Sequence, residues 1–258
     1  MDREIKARVG EAIEEKVFPG CAIGFVNANG ERKILSFGTL IYGSAGERVT
    51  EDTVYDVASI TKSIPTASLA LLLSHEGKLR LSDRLIEYIP EFRSKWREEV
   101  RIEHLLTYSI HGLRLSDIKD KTPEEITESA YSHELADKPG TKRYYTNLPT
   151  FLLGIVIERI AGEPLEVLAR ERFFDPLGME HTTFFPNNDG FTKSIIAPTE
   201  IDEDGKEIRG IVHDESARVF TKVGKAVGHA GLFSTVPDLL NFLEALLRNY
   251  RPTRSICR

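Results

Sequence analysis

Ser59 and Lys62 stand three residues apart in the segment VYDVASITKS, where an extended, β-branched stretch gives way to an apolar stretch typical of a helix. Residues at i and i+3 of a helix share a face, with roughly 5 to 6 Å between their Cβ atoms, so the lysine amine can reach the serine hydroxyl. A serine next to a basic group can act as a nucleophile in acyl transfer. A serine that caps a helix, followed by a solvated lysine, would explain the same pair, since serine is a favoured cap.

Tyr145 and Asn147 form a second pattern in the segment KPGTKRYYTNLPT, between a Pro-Gly turn and a strongly periodic helix. Side chains at a junction between a loop and a helix are held rigidly and can still reach a cleft. In isolation, a packed tyrosine and an asparagine that caps the next helix would be the simpler explanation of this pattern. The two patterns therefore need elements that bring them together.

The first elements are a helix and a strand pair. Apolar residues share one helical face over residues 3–16, and the Phe-Pro-Gly segment that follows stops this helix. The stretches CAIGFVNA and RKILSFGTL flank Asn29-Gly30, which predicts a β-hairpin because both turn residues tolerate a positive φ. A helix follows Ser59 and runs up to Gly77, and we expect Pro65, which lacks an N–H, to kink it.

The middle of the chain, from about residue 80 to residue 185, is predicted to be helical. One helix starts at Leu148, ends at Gly162, and is followed by a helix with Pro164 in its first turn. Residues 187–218 are polar and loop-like, with EIDEDGKE as a turn or short hairpin. A last helix is predicted from Pro237 to about residue 250.

Four ordered segments together resemble the serine β-lactamase and penicillin-recognising hydrolase superfamily, most closely its branch of class C β-lactamases, DD-peptidases and family VIII carboxylesterases. VYDVASITKSIPTASLALLLSHEGKLRLSDRLIEYIPEF resembles the nucleophile helix and the segment after it. The second segment that resembles the family is RIEHLLTYSIHGL. The third resembles the family's Tyr-x-Asn segment and reads KPGTKRYYTNLPTFLLGIVIERIAGEPLEVLARERFFDPLGMEHTTF. GHAGLFSTVPDLLNFL resembles a glycine-rich turn that enters a helix. The order of the four favours the catalytic interpretation of Ser59.

This resemblance implies a role for each candidate residue. Ser59 is similar to the acylated nucleophile, Lys62 to its cationic or basic partner, Tyr145 to the general base or proton relay, and Asn147 to a substrate-orienting amide. Whether Tyr145 or a neutral Lys62 is the base stays open. The implied activity is a serine hydrolase that forms an acyl-enzyme with small ester, amide or β-lactam substrates and needs no cofactor and no metal.

The implied fold is of the α/β (α+β) class, a β-lactamase/DD-peptidase-like antiparallel sheet with flanking helices and a mainly helical region. We expect one domain over residues 1–258, in which residues 1–58 and 186–258 form the α/β part and residues 59–185 the helical part. A hairpin alone is marginally stable, and about three strands with a covered face are usually needed. Further strands must therefore complete the sheet.

The family's oxyanion hole takes one N–H from the nucleophile and the other from a strand that carries K-T-G, H-x-G or W-x-G. Two triplets come close, Lys222-Val223-Gly224 and His229-Ala230-Gly231, and we interpret both as structural. The chain then ends in RNYRPTRSICR, which lacks the apolar alternation of a strand. We expect a sheet that is incomplete at the C-terminus, with truncation or a frameshift as the favoured explanation. The alternative function is a catalytically impaired penicillin-binding-like module that binds or is acylated without efficient turnover.

Composition excludes several other functions. The 34 basic and 40 acidic residues are interspersed and give a net charge of −6, which argues against a nucleic-acid partner. The seven histidines and two cysteines have no metal-ligand spacing, and no P-loop or dinucleotide motif occurs. No segment has the length of a membrane span, and the charged N-terminus does not read as a signal peptide. We therefore expect a cytoplasmic enzyme with a small-molecule acyl substrate, and favour an esterase over a periplasmic β-lactamase.

Overall fold

The computed structural model describes residues 2–43 and 47–249. The strands within these ranges are, in chain order, β1 (Gly20–Val26), β2 (Arg32–Gly38), β3 (Tyr55–Asp56), β4 (Glu200–Ile201), β5 (Glu207–Ile208) and β6 (Phe233–Ser234). The α-helices are α1 (Asp2–Glu14), α2 (Ser68–His75), α3 (Leu85–Tyr88), α4 (Ile102–Leu106), α5 (Pro123–Ser132), α6 (Leu148–Ala161), α7 (Leu165–Ala169), α8 (Glu215–Thr221) and α9 (Val236–Asn249). The predicted strand-free tail, from residue 250 onward, lies outside the described residues.

The predicted N-terminal hairpin is confirmed. β1 and β2 are antiparallel in a register that pairs Val26 with Arg32, so the connecting loop has five residues, 27–31. The Asn27 side-chain oxygen organises this loop because it accepts hydrogen bonds from the N–H groups of Asn29 and Glu31, at 2.9 and 3.0 Å. Gly30 supplies the positive φ, 81°. The expected Asn-Gly turn is therefore part of a longer loop.

Helices cover both faces of this hairpin. Arg32 at the start of β2 donates from Nε to the Glu244 carboxylate of α9 at 2.8 Å and from Nη1 to Asn241 at 2.6 Å. The next residue, Lys33, forms an ion pair with Asp2 of α1. Because successive side chains of a strand point to opposite faces, α9 and α1 lie on opposite sides of the β1–β2 sheet.

A second strand pair fixes the approach to Ser59. β3 and β6 are antiparallel and pair Tyr55 with Ser234 and Asp56 with Phe233. Just beyond β3, the Val57 N–H donates to the Leu232 carbonyl at 2.9 Å. The pairing of β3 with β6 therefore ends immediately before the turn that carries Ser59.

The segment 187–218 contains one prediction that is confirmed and one that is wrong. The predicted EIDEDGKE hairpin is confirmed as the antiparallel pair of β4 and β5. The prediction that the rest of this segment is a loop is wrong near its end, because α8 begins at Glu215. Asp214 caps this helix, with its carboxylate accepting from the Ala217 N–H at 3.0 Å. Burial of Ala217 and Phe220 anchors a helix too short to show an apolar period.

The central helix of the core is α6. It begins at Leu148 as predicted and ends at Gly162, which takes a left-handed conformation with φ 75°. Pro164 is the residue before α7 and not inside its first turn, a shift of one residue from the prediction. Helix α6 packs against α2, α3, α4 and α7. Its buried side chains include Leu148, Phe151, Leu152, Leu153, Val156 and Ile157.

The nucleophile segment is not one continuous α-helix. Residues 58–62 form a tight 3₁₀ turn, residues 63–67 form a wider turn, and α2 follows at Ser68. Ile64, with φ −121° and ψ 107°, breaks the helical backbone immediately before Pro65. The kink expected from Pro65 is therefore confirmed, since proline removes a helical N–H and crowds the preceding turn.

Gly228 allows the chain before β6 to approach α6 closely. A Cβ at this position would lie 2.3 Å from the Thr150 carbonyl oxygen and 3.1 Å from Thr66 Cγ2. We expect Gly228→Ala to lower the free energy of unfolding by about 1 to 3 kcal/mol, because the overlap is with backbone and cannot relax freely. Urea denaturation followed by circular dichroism measures the change.

Gly10 provides the matched control for this substitution. It lies inside α1, and a Cβ there would meet no atom within 4 Å. Gly10→Ala is expected to raise the free energy of unfolding by roughly 0.5 to 1 kcal/mol, since alanine is the better helix former. Equal effects of the two substitutions would contradict the close-approach explanation.

None of the described helices is both long enough and apolar enough to cross a membrane.

Candidate active site

Ser59 and Lys62 are in direct contact. The Lys62 Nζ donates a hydrogen bond to the Ser59 Oγ at 2.7 Å. The 3₁₀ turn explains this contact, because with three residues per turn the side chains at i and i+3 lie above one another. Ser59 is exposed, whereas Lys62 is buried. The structure therefore brings the first predicted pair together.

The Lys62 amine is buried. The side chain is 4% exposed, and its Nζ donates a second hydrogen bond to the His229 carbonyl at 2.7 Å. Removal from water lowers the pKa of Lys62 to about 8, although the Asp214 carboxylate opposes this effect by favouring the charged form. A lysine with this pKa can both take up and release a proton near neutral pH, which a solvated lysine cannot.

The backbone before Ser59 makes a sharp turn. Ala58 has a φ of 46°, an uncommon conformation for a residue with a Cβ. The Asp56 carboxylate holds this turn, accepting from the Ala58 N–H at 2.8 Å and, through its other oxygen, from the His213 N–H at 2.8 Å. Strain of this kind needs support from its surroundings and is common at functional sites.

Tyr145 lies next to the same amine. The Lys62 Nζ is 5.3 Å from the centroid of the Tyr145 ring, a distance at which a protonated lysine is attracted to the aromatic face. The Tyr145 side chain is 67% exposed, and its ring packs against Tyr108 with 5.2 Å between centroids. Tyr108 also has a positive φ, 54°, and burial raises its pKa. The predicted tyrosine therefore borders the Ser59–Lys62 pair.

Asn147 reaches the site through Asp214. Asn147 precedes α6, but its side chain makes no cap hydrogen bond with that helix. Its Nδ2 donates instead to Asp214 Oδ2 at 3.0 Å. The simpler explanation of this asparagine, as a helix cap, is therefore wrong for its side chain.

Sequence reasoning did not assign Asp214 or Ser216 to the site, and it interpreted His229 as structural. His229 is fully buried, and its Nε2 lies 3.0 Å from the Ser216 Oγ and 3.5 Å from Asp214 Oδ1. Burial alone would raise the pKa of Asp214, but contacts with His229 and Ser216 hold it well below its usual range. Burial lowers the pKa of His229. An aspartate is a favoured helix cap, and this preference is the hint that the sequence offered at Asp214.

The two triplets that resemble the third family motif have different environments. Lys222-Val223-Gly224 forms an exposed turn after α8, with Gly224 at φ 75°. His229-Ala230-Gly231 is buried and leads into β6, and it presents the His229 carbonyl to Lys62. Among the strands of the described residues, none carries K-T-G, H-x-G or W-x-G. The structural interpretation of Lys222-Val223-Gly224 and His229-Ala230-Gly231 stays a prediction, and the second triplet contacts the site through the His229 carbonyl.

No metal site is evident in the part of the chain that the structure describes. Within residues 2–43 and 47–249, no three His, Cys, Asp or Glu side chains are grouped so as to hold an ion. The chemical groups at the site are a hydroxyl, an amine, a phenol, an amide and a carboxylate. Such a set can move protons and acyl groups.

Comparison with protein families gives a match over almost the whole chain. Residues 4–255 match the family described as Beta-lactamase. The putative D-alanyl-D-alanine carboxypeptidase of Escherichia coli K12 is 32% identical over 231 residues, which cover 78% of this chain and 52% of that protein. Its counterpart in Salmonella typhi is 30% identical with the same coverage. The chain therefore spans about half the length of the curated relatives it matches.

Solved structures of the same kind share the fold. A β-lactamase/D-alanine carboxypeptidase from Pseudomonas syringae has a TM-score of 0.76 at 21% identity, covering 95% of this chain and 64% of that chain. A class C β-lactamase has a TM-score of 0.76 at 23% identity, with coverages of 97% and 66%. The octameric penicillin-binding protein homologue from Pyrococcus abyssi has a TM-score of 0.76 at 26% identity, with coverages of 97% and 57%.

Proposed function

Because the chain belongs to the Beta-lactamase family, we propose that it is a serine hydrolase that forms an acyl-enzyme on Ser59 with small ester, amide or β-lactam substrates. The observation that carries the proposal is the 2.7 Å contact between the Ser59 Oγ and a buried Lys62 amine. The depressed pKa of Lys62, about 8, supports a role in proton transfer near neutral pH. Its relatives named as D-alanyl-D-alanine carboxypeptidases support an acyl substrate.

The reaction has two steps. In the first, the Ser59 Oγ bonds to the substrate carbonyl carbon, and its proton passes to the Lys62 amine or, through it, to Tyr145. The tetrahedral intermediate expels the leaving group, which takes up that proton, and the acyl-enzyme remains. In the second, water gives a proton to Lys62 or Tyr145 and bonds to the acyl carbon, the bond between this carbon and the Ser59 Oγ breaks, and the same proton passes to the Ser59 Oγ as the acid leaves. The side-chain amide of Asn147 orients the substrate.

We propose esters as the preferred substrates. An activated ester is the acyl donor that the Ser59–Lys62 pair attacks most readily, because its leaving group departs without prior protonation, whereas an amide nitrogen needs a proton.

The likeness to the penicillin-binding protein homologue from Pyrococcus abyssi supports a second candidate function. A site that is acylated on Ser59 and loses the acyl group slowly would act as a penicillin-binding-like module. The two candidates share the acylation of Ser59 and differ in deacylation. The rate at which the labelled protein returns to its original mass separates them.

The experiment combines covalent labelling with turnover. The protein is incubated with a fluorophosphonate and, separately, with benzylpenicillin, and the intact mass and the modified peptide are measured. We expect one adduct per chain, on the peptide that contains Ser59. After reaction with a short-chain p-nitrophenyl ester, we expect the protein to lose the acyl group and return to its original mass. An adduct on another residue, or none with either reagent, would refute the hydrolase proposal.

Substrate preference is measured separately. Values of kcat/KM are compared for p-nitrophenyl butyrate, a chromogenic cephalosporin and a peptide that ends in D-Ala-D-Ala. We expect the ester to be turned over at least ten times faster than the other two. Preference for the cephalosporin or the peptide would reject the esterase proposal and keep the acyl-enzyme.

A further inference from the structure

Asp214 connects the residues that surround the Ser59–Lys62 pair. Its Oδ2 accepts from the Asn147 amide at 3.0 Å, and its Oδ1 accepts from the Ser216 hydroxyl at 2.6 Å. One carboxylate therefore joins the start of α6 to the start of α8.

The same carboxylate also orients His229. The His229 Nε2 lies 3.5 Å from Asp214 Oδ1 and 3.0 Å from the Ser216 Oγ, and the ring is fully buried. The carbonyl of His229 is the acceptor that holds the Lys62 amine, at 2.7 Å. Fixing the His229 ring therefore also fixes the peptide group on which Lys62 rests.

The charge of Asp214 also acts on Lys62. Its negative charge favours the protonated amine and raises the pKa of Lys62, against the effect of burial. The other titratable groups that face Lys62 are the Tyr145 phenol and the His229 imidazole, whose own pKa burial lowers. Asp214 therefore supplies the negative charge near the amine.

We propose that Asp214 is a positioning residue of the acyl-transfer site, which orients Asn147 for substrate and fixes the His229 carbonyl against Lys62, with its negative charge acting on the lysine amine. This inference rests on the proposed serine hydrolase function. Asp214 caps α8 through Oδ1 and binds Asn147 through Oδ2. Capping does not require the second contact, so the proposed role is additional to capping.

The test is the pH dependence of acylation in neutral variants of Asp214. Removing the carboxylate lowers the pKa of Lys62, so the part of the pH–rate profile that Lys62 governs moves to lower pH. The direction is the same whether the reaction needs a neutral or a protonated lysine. For Asp214→Asn we expect a shift of about one pH unit. We also expect a loss of roughly 10- to 100-fold in kcat/KM, since a hydrogen bond to a charged group is removed.

Two further variants separate charge from capping. Asp214→Ser keeps a good helix cap without the charge, so it should show the same shift even if the asparagine variant folds poorly. Asp214→Glu keeps the charge and should restore the profile to within a few tenths of a pH unit of the wild type. The measured quantity is the rate of mass gain with a fluorophosphonate between pH 5 and pH 10, on about ten pH values.

Asp238→Asn is the matched control. Asp238 is a buried aspartate that accepts from the His181 N–H at 2.7 Å and from the Thr182 hydroxyl at 2.8 Å, so its loss tests the cost of removing any buried carboxylate. Asp238→Asn should leave the pH dependence of the acylation rate unchanged. Neutral Asp214 variants that are folded and slower but unshifted would overturn the proposal and leave a purely structural role. A wild type with no label on Ser59 would instead reject the proposed function itself.

Discussion

Replacing Ser59 with alanine is expected to abolish acylation and hydrolysis. The exposed Ser59 Oγ is the group that the buried Lys62 amine contacts, and alanine removes the atom that would bond to the acyl carbon. The variant should gain no mass with fluorophosphonate or benzylpenicillin, and its ester turnover should fall by at least about 10³-fold. Intact mass spectrometry and initial rates measure both effects.

Ser63→Ala is the matched control. Ser63 is an exposed serine one turn along the same segment, and its Oγ donates to the Ile60 carbonyl at 3.1 Å. Its removal should leave labelling and turnover within about twofold of the wild type, and the melting temperature of both variants should stay close to that of the wild type. Retained labelling in Ser59→Ala would show that another residue is the nucleophile.

Replacing Lys62 with methionine is expected to slow acylation by about 10³-fold, within the 10²- to 10⁴-fold range typical of proton transfer by a positioned group. Methionine keeps the apolar stem that fills this buried position and removes the amine. The pH–rate profile of the wild type should have an inflection near pH 8, the pKa of Lys62, and the variant should lack it. Labelling rates between pH 5 and pH 10 test both expectations.

Lys62→Met is expected to slow acylation without lowering the stability of the fold. The folded pKa of Lys62, about 8, lies below its ordinary value of 10.5, so between these values the unfolded chain holds the proton and the folded chain does not. Wild-type stability should therefore rise as pH increases through this window. Lys62→Met should lack this rise and should melt no lower than the wild type at pH 7. Lys222→Met, at an exposed lysine, is the control.

Comparison with Tyr145→Phe identifies the base. If a neutral Lys62 takes the proton from Ser59, the phenylalanine variant should lose less than about tenfold in acylation rate, since it keeps the ring 5.3 Å from the amine. If the phenol is the base, its loss should approach that of Lys62→Met. The double variant, measured beside the two single variants, shows whether the groups act as one unit.

Local patterns were read correctly from the sequence because their causes lie within a few residues. The Asn29-Gly30 hairpin, the start of α6 at Leu148 and the kink before Pro65 all depend on neighbouring positions. The Ser59–Lys62 contact follows in the same way from its spacing. These features needed no knowledge of the tertiary structure.

The rest of the site depends on contacts between distant parts of the chain. His229 reaches Lys62 with its carbonyl across a separation of 167 residues, and no spacing rule connects the two. Asp214 caps α8, a helix of seven residues, which is too short to show a period. Asp214 and Asn147 are 67 residues apart in sequence. Their contact depends on how α8 packs beside α6.

The distance along the chain between Lys62 and its carbonyl acceptor has a consequence for biosynthesis. Thr66 also bonds to the Gly228 carbonyl, 162 residues away, and Thr61 to the Leu232 N–H, 171 residues away. Contacts of such separation form late, because loop closure must precede them. At about 5 to 20 residues per second, a ribosome needs roughly 10 s or more to add this length of chain. Until residues 228–232 have been added, a nascent chain therefore has Ser59 without the contacts that hold Lys62 in place.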